Sequence, residues 1–95
     1  MKVYFLQSGG FAGLVRQCEL DTQTLDAEQA RELERLVKES GIAASGEYLC
    51  EGARDAYQYR ITIEEEPPPI VVIFEDGSVP DPARRLVGYL KRHAV

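Results

Sequence analysis

The chain has 95 residues, a formal net charge of −5 and a sequence pI near 4.8. This length suits a single domain over residues 1–95, and 44% apolar with 28% charged residues is the composition of a folded globule. The acidic balance argues against nucleic-acid binding, which needs a basic face. No apolar run approaches the roughly 20 residues that cross a bilayer, and the start lacks a signal-peptide segment, so we expect a cytoplasmic protein without membrane contact.

Two segments near the start predict a β-hairpin. Residues 2–7 alternate apolar and polar side chains, as a half-buried strand does, and residues 14–20 form a second strand with Leu14, Cys18 and Leu20 on one face. The glycine-rich stretch at residues 9–13 reads as the connecting loop, because glycine adopts positive φ without penalty.

A helix is predicted over residues 27–40. Asp26 is a good N-cap, Leu33 and Leu36 lie on an apolar stripe with helical spacing, and Gly41 supplies the stop. Residues 41–56 show no clean period and are interpreted as a long connection, of a length at which loops are often functional.

The second half repeats the pattern. Residues 58–64 are the cleanest strand, the acidic and proline-rich residues 64–69 turn the chain, and residues 70–75 form the next strand. Asp81 is predicted to cap a last helix that has Pro82 at its first position.

The order ββαββα predicts an α+β fold in which a four-stranded antiparallel sheet carries both helices on one face. The other face would stay hydrated. We expect it to carry Gln58, Arg60 and Thr62, together with Arg16 and Gln17.

No catalytic constellation is evident. The single histidine, His93, lies almost at the C-terminus, where a solvated side chain near the helix end is a better account than a general base. Cys18 and Cys50 form no metal-binding spacing, and a disulfide between them is disfavoured in the cytosol. The sequence therefore predicts a protein that is not an enzyme and has no cofactor.

Two features leave functional and structural interpretations open. Phe11 stands in the glycine-rich loop and either folds back onto the sheet or contacts a partner. The pair Arg54-Asp55 precedes a strand and either fixes the loop locally or offers polar contacts.

Taken in order, these elements resemble the emfourin family, which are small proteinaceous inhibitors of protealysin and related thermolysin-like metalloproteases. The similarity runs over nearly the whole chain. It rests on GGFAGL at residues 9–14, LxxLV at 33–37, GARDxYxYxIT at 52–62 and VP at 79–80.

The resemblance implies a tight, reversible inhibitor that blocks the active-site cleft of a zinc protease and needs no metal of its own. The partner-binding residues expected on this basis are Gly9, Gly10, Phe11, Ala12, Arg54, Asp55 and Tyr57. Phe11 suits the hydrophobic pocket of such enzymes, by its side-chain type. Similar proteins carry a glycine-rich or basic turn where this chain has the acidic residues 64–69, so contact there would change the target or the affinity.

An alternative is a non-enzymatic binding module of another class. A hydrated sheet face or an edge strand can pair with a partner chain, and self-association through the strand at residues 70–74 belongs to this hypothesis. We therefore expect either a monomer or a weak homodimer.

Overall fold

A computed structural model of the chain describes residues 1–9, 15–49 and 57–95. In these residues five strands and two helices follow one another, and a short 3-10 turn over Asp81–Ala83 leads into the second helix. The elements are β1 (Lys2–Gly9), β2 (Arg16–Asp21), α1 (Ala27–Glu39), β3 (Gly46–Tyr48), β4 (Tyr57–Glu64), β5 (Ile70–Glu75) and α2 (Arg84–His93). The predicted α+β class is confirmed.

The sheet differs from the prediction of four antiparallel strands. It has five strands in the order β2-β1-β4-β5-β3, and β3 pairs with β5 in parallel. The other three pairings are antiparallel. The long connection predicted over residues 41–56 therefore contains a strand. Because this strand has only three residues, its alternation of side chains is too short to reveal it in the sequence.

One face of the sheet carries the core together with both helices, as predicted. Every second residue of the three inner strands is buried there, and leucines from α1 and α2 close over them. Phe5 and Tyr59 stack at the centre, with ring centroids 6.0 Å apart. Burial of this apolar surface, at about 25 cal/mol per Å², is what holds the helices on the sheet.

The first helix begins and ends where the sequence predicts. Asp26 Oδ1 accepts a hydrogen bond from the Gln29 backbone N–H at 2.9 Å. Leu33 and Leu36 are buried, and Gly41 follows the helix with φ of 76°. That left-handed backbone is one that glycine adopts without steric cost.

The second helix begins differently from the prediction. Pro82 lies in the 3-10 turn, and the α-helix starts only at Arg84. Asp81 makes no side-chain capping hydrogen bond; its carboxylate instead lies 3.2 Å from the Arg84 guanidinium. The predicted apolar stripe is nevertheless buried, because Ala83, Leu86, Val87 and Leu90 all face the sheet.

The other face of the sheet is open and carries Gln58, Arg60 and Thr62, but not Arg16. Register alternation places Arg16 on the helix side. There its guanidinium donates to the Lys91 and Ala94 carbonyls at 3.2 and 3.1 Å. Arg16 thus satisfies backbone acceptors at the C-terminal end of α2, where a cation is favoured by the helix dipole.

The strand proposed for self-association lies inside the sheet. β5 pairs with β4 on one side and with β3 on the other, and Ser45 Oγ accepts a hydrogen bond from the Val71 N–H. The edge strands are β2 and β3, and the outer side of β2 exchanges two backbone hydrogen bonds between Gln17 and Val95. Self-association through an open edge of β5 is therefore a wrong expectation.

Candidate partner-binding site

The sheet has two distinct ends, and the two predicted partner-binding residues that the structure describes, Gly9 and Tyr57, lie at the same one. Gly9 is the register partner of Tyr57, so the last residue of β1 lies beside the first residue of β4. Residues 10–14 follow Gly9 and residues 50–56 precede Tyr57. We call this the loop end of the sheet; it also holds the last residues of β3 and β5.

Two of the predicted site residues are described by the structure. Gly9 is exposed and has φ of 88°, a left-handed conformation that suits glycine. Tyr57 is 40% exposed, although it continues the alternation that buries Tyr59. Gly10, Phe11, Ala12, Arg54 and Asp55 lie outside the described residues, so their roles stay predictions.

Exposed large apolar side chains concentrate at the loop end. Besides Tyr57, these are Val15, Tyr48 and Leu49, with exposed fractions between 47% and 58%. Each stands within a few residues of the segments at 10–14 and 50–56. An apolar concentration at one end of a small domain is typical of a surface that contacts another protein.

Tyr48 and Leu49 were not predicted as site residues. They were missed because β3 was interpreted as loop. The ring of Tyr48 packs on Phe74 with centroids 5.1 Å apart, so β3 is attached to the sheet by an aromatic contact as well as by backbone pairing. The alternation of Ser45, Glu47 and Leu49 against Gly46 and Tyr48 was the available signal, but it is too short to stand alone.

A partly buried polar cluster, centred on the buried Tyr59 with Asp76 exposed, lies next to the loop end. The Tyr59 hydroxyl donates to Asp76 Oδ1 at 2.7 Å and accepts from Lys91 Nζ at 3.1 Å. The Asp76 backbone N–H donates to the Tyr57 carbonyl at 2.9 Å. Burial, with Asp76 as hydrogen-bond acceptor and neighbouring charge, raises the pKa of the Tyr59 phenol. The cluster therefore ties the start of β4 to the end of β5 and to α2.

A cleft of about 270 Å³ opens beside this cluster, between α2 and the connection that follows β5. Val79, Val87 and Gly88 contribute apolar lining, and Asp76 and Lys91 bring opposite charges to the same space. The stripe Arg84, Gly88 and Lys91, at spacings of four and three residues, faces it along the helix.

Gly88 is unusual for its position in the middle of α2. A helix-interior glycine costs about 1 kcal/mol relative to alanine. A Cβ built on Gly88 would meet no described atom within 4 Å outside its own stretch of helix. Packing within the described chain therefore does not explain why this position lacks a side chain.

One buried polar atom at the loop end lacks a partner. Gln7 is 6% exposed and its Oε1 accepts no hydrogen bond among the described residues. Gln7 lies two residues before Gly9 and opposite Tyr59 in the β1–β4 register. A buried acceptor without a donor costs about 1–3 kcal/mol.

The acidic turn lies at the other end of the sheet. Glu64 pairs with Lys2, and the β4–β5 connection follows it, whereas Tyr57 marks the loop end. The seven steps from Tyr57 to Glu64 along β4, at about 3.3 Å each, place these two ends roughly 23 Å apart. Residues 64–69 therefore do not belong to the surface formed at the loop end.

The structure also places the histidine and one of the cysteines that the sequence offers as candidates for catalysis or metal binding. Residues 1–9, 15–49 and 57–95 hold no group of three or more potential metal ligands. The His93 ring packs on Tyr89, with centroids 4.6 Å apart, in the last turn of α2. Cys18 is a free, half-buried thiol near the Leu90 carbonyl, and burial raises its pKa, which lowers its reactivity at neutral pH. Cys50 lies outside the described residues.

Comparison with known proteins identifies one family. The family model described as Emfourin matches residues 5–91 of the chain, which includes both loop segments, all of α1 and most of α2. Neither curated proteins nor solved structures give a match. In the described part of the chain, neither helix has the length and apolar character that crossing a membrane requires.

Proposed function

Because the chain belongs to the emfourin family, we propose that it is a proteinaceous inhibitor of thermolysin-like zinc metalloproteases. The inhibitor would cover the active-site cleft with the loop end of its sheet. Family membership suggests a metalloprotease inhibitor; the thermolysin-like class and the use of the loop end are our proposal.

The observation that carries the proposal is the pairing of Gly9 with Tyr57. Gly9 belongs to the Gly-Gly-Phe element and Tyr57 to the Arg-Asp-x-Tyr element, which are separated in the chain by residues 15–49. The pairing of these two residues supports a surface that uses both elements. The exposed apolar side chains of Val15 and Tyr57 flank the same place. An inhibitor that uses both elements at once needs this adjacency.

The sheet gives the loop end a rigid base. β1 and β4 pair along their whole length, from Lys2 with Glu64 to Gly9 with Tyr57. The hydrogen bond from the Asp76 N–H to the Tyr57 carbonyl extends this order to the β5 turn. A preorganised binding surface loses little conformational entropy on docking, so more of the contact energy is available for affinity.

In this proposal Phe11 is the apolar anchor. A large apolar side chain in a hydrophobic pocket contributes about 1.5–3 kcal/mol. Arg54 and Asp55 would add polar contacts at the rim, and Tyr57 would combine an apolar ring with a hydroxyl, a combination that is enriched at interfaces. The protein would act by occupying the cleft, with no catalytic group and no cofactor of its own.

A titration of thermolysin-like proteases with the purified protein tests the proposal. Peptide hydrolysis should fall as the protein is added, while gel electrophoresis shows that the protein itself stays intact. A Phe11→Ala variant should inhibit at least tenfold more weakly, since truncating an interface anchor typically costs 2 kcal/mol or more. Lys38→Ala is the control, because Lys38 is exposed and its neighbour Val37 lies beside Glu65 and Glu66, at the opposite end of the sheet.

Full protease activity at micromolar protein, across several such enzymes, would refute the proposal for this class. Equal inhibition by the Phe11→Ala variant would leave the inhibitor function in place and refute the anchor role.

A further inference from the structure

The cleft beside Tyr59 has the size and the polar groups of a specific binding site. Its volume of about 270 Å³ exceeds the roughly 150 Å³ of an engineered cavity that accepts benzene. It therefore has room for one aromatic ring with a substituent. Val79 and Val87 supply walls against which such a ring can pack.

The cleft carries both signs of charge, so a charged occupant of either sign would meet at least one group of like charge. Asp76 would repel a carboxylate, whereas Lys91 and Arg84 would repel an ammonium group. A neutral group that both donates and accepts a hydrogen bond matches the pair of Asp76 and Lys91. A carboxylate can accept several hydrogen bonds and an ammonium group has three donors, so each retains capacity after its bond with the Tyr59 hydroxyl.

Gly88 gives an independent reason to expect an occupant. Its missing side chain relieves no contact within the described chain, yet Gly88 lines the cleft and a Cβ there would meet only open space. A glycine that is unfavourable for the helix and unnecessary for internal packing is accounted for if another molecule uses the space.

From these observations we infer that the cleft is a binding site for a neutral phenol, namely a tyrosine side chain of the partner protein. The ring packs over Gly88 between Val79 and Val87. The phenol hydroxyl donates to Asp76 and accepts from Lys91. The cleft adjoins the loop end through the bond between the Asp76 N–H and the Tyr57 carbonyl, so a protein docked there can reach it. That this tyrosine belongs to a metalloprotease rests on the proposed function; the preference for a phenol does not.

The phenol preference is tested by NMR titration of the whole chain with p-cresol, the side-chain analogue of tyrosine. The amide signals of Gly77, Gly88 and Lys91 should shift saturably, with half-saturation in the millimolar range that a ligand of this size permits. Toluene, benzoate and benzylamine should each bind at least severalfold more weakly. Absence of saturable shifts at these amides, or tighter binding of benzoate or benzylamine, would overturn the inference.

Two variants connect the binding to the cleft. Gly88→Ala should reduce p-cresol binding at least severalfold while the melting temperature stays equal or rises. Lys91→Met, which keeps the aliphatic stem, should lower p-cresol binding to the level of toluene. Arg85→Ala is the control, since Arg85 is exposed on the same helix but does not line the cleft. Unchanged p-cresol binding in both cleft variants would contradict the assignment.

The protease assay separates this inference from the proposed function. If the wild type inhibits, Gly88→Ala should inhibit at least tenfold more weakly, with an unchanged or higher melting temperature. Equal inhibition by the variant would show that the protease does not use the cleft, and the proposed function would stand. If the wild type inhibits no thermolysin-like enzyme, the proposed function and the protease as occupant fail together, and the p-cresol titration alone decides the chemistry of the cleft.

Discussion

At the scale of single residues, Tyr59 links stability to pH. The pKa of its phenol is raised above the usual 10.0, mainly by burial and then by Asp76. The folded protein therefore keeps the phenol protonated at pH values at which the unfolded chain has already ionised it. This contribution is fully present below pH about 10 and is lost as pH rises further, because the unfolded state then releases a proton that the folded state retains. Urea unfolding should show that Tyr59→Phe is about 1–2 kcal/mol less stable than wild type at pH 7, and that the difference narrows above pH 10. Parallel curves up to pH 11 would contradict the assignment.

Gln7 offers a second test at the scale of single residues. Here the substitution should raise the free energy of unfolding, whereas Tyr59→Phe should lower it. Its buried Oε1 has no donor among the described residues, so Gln7→Met, which has a similar shape and no amide, should raise the free energy of unfolding by about 1 kcal/mol. Ser40→Ala is the comparison, because Ser40 is also buried but its hydroxyl donates to the Val37 carbonyl and accepts from the Ile42 N–H. That variant should lose about 1 kcal/mol in the same denaturant titration. Destabilisation by Gln7→Met would show that the amide is satisfied.

At the scale of elements, the β4–β5 turn should be independent of inhibition. A double change of Glu65→Lys and Glu66→Lys lies about 23 Å from Tyr57, several times the Debye length of about 8 Å at 0.15 M salt. The inhibition constant should therefore stay within about twofold of wild type at that ionic strength, whereas Tyr57→Ala should weaken inhibition about tenfold. A large effect of the double change would place the turn in the interface.

The elements also show what local sequence patterns determine. α1 was predictable because Asp26, the leucine stripe and Gly41 are local features that agree with one another. β3 was not, because a three-residue parallel strand depends on β5 for its hydrogen bonds and on Phe74 for the packing of Tyr48. The candidate site divides in the same way. Its loop residues are predicted by resemblance and stay predictions, whereas the adjacency of Gly9 and Tyr57 and the Gly88 cleft are products of register and helix docking.

At the scale of the whole molecule, the protein is expected to be a monomer. β5 is enclosed by β4 and β3, the outer side of β2 is bonded at Gln17 by Val95, and β3 is only three residues long. Short or covered edges are how sheet proteins avoid pairing with further chains. Sedimentation equilibrium should give a mass near the 10.6 kDa of one chain at micromolar concentrations.

A variant lacking Ala94 and Val95 frees the Gln17 N–H and carbonyl and removes one acceptor of the Arg16 guanidinium. It should therefore be less stable and show a mass that rises with concentration. A stable dimer of the wild type would show that a surface other than these edges drives association. If that dimer could not bind the protease, the surface would be identified as the loop end.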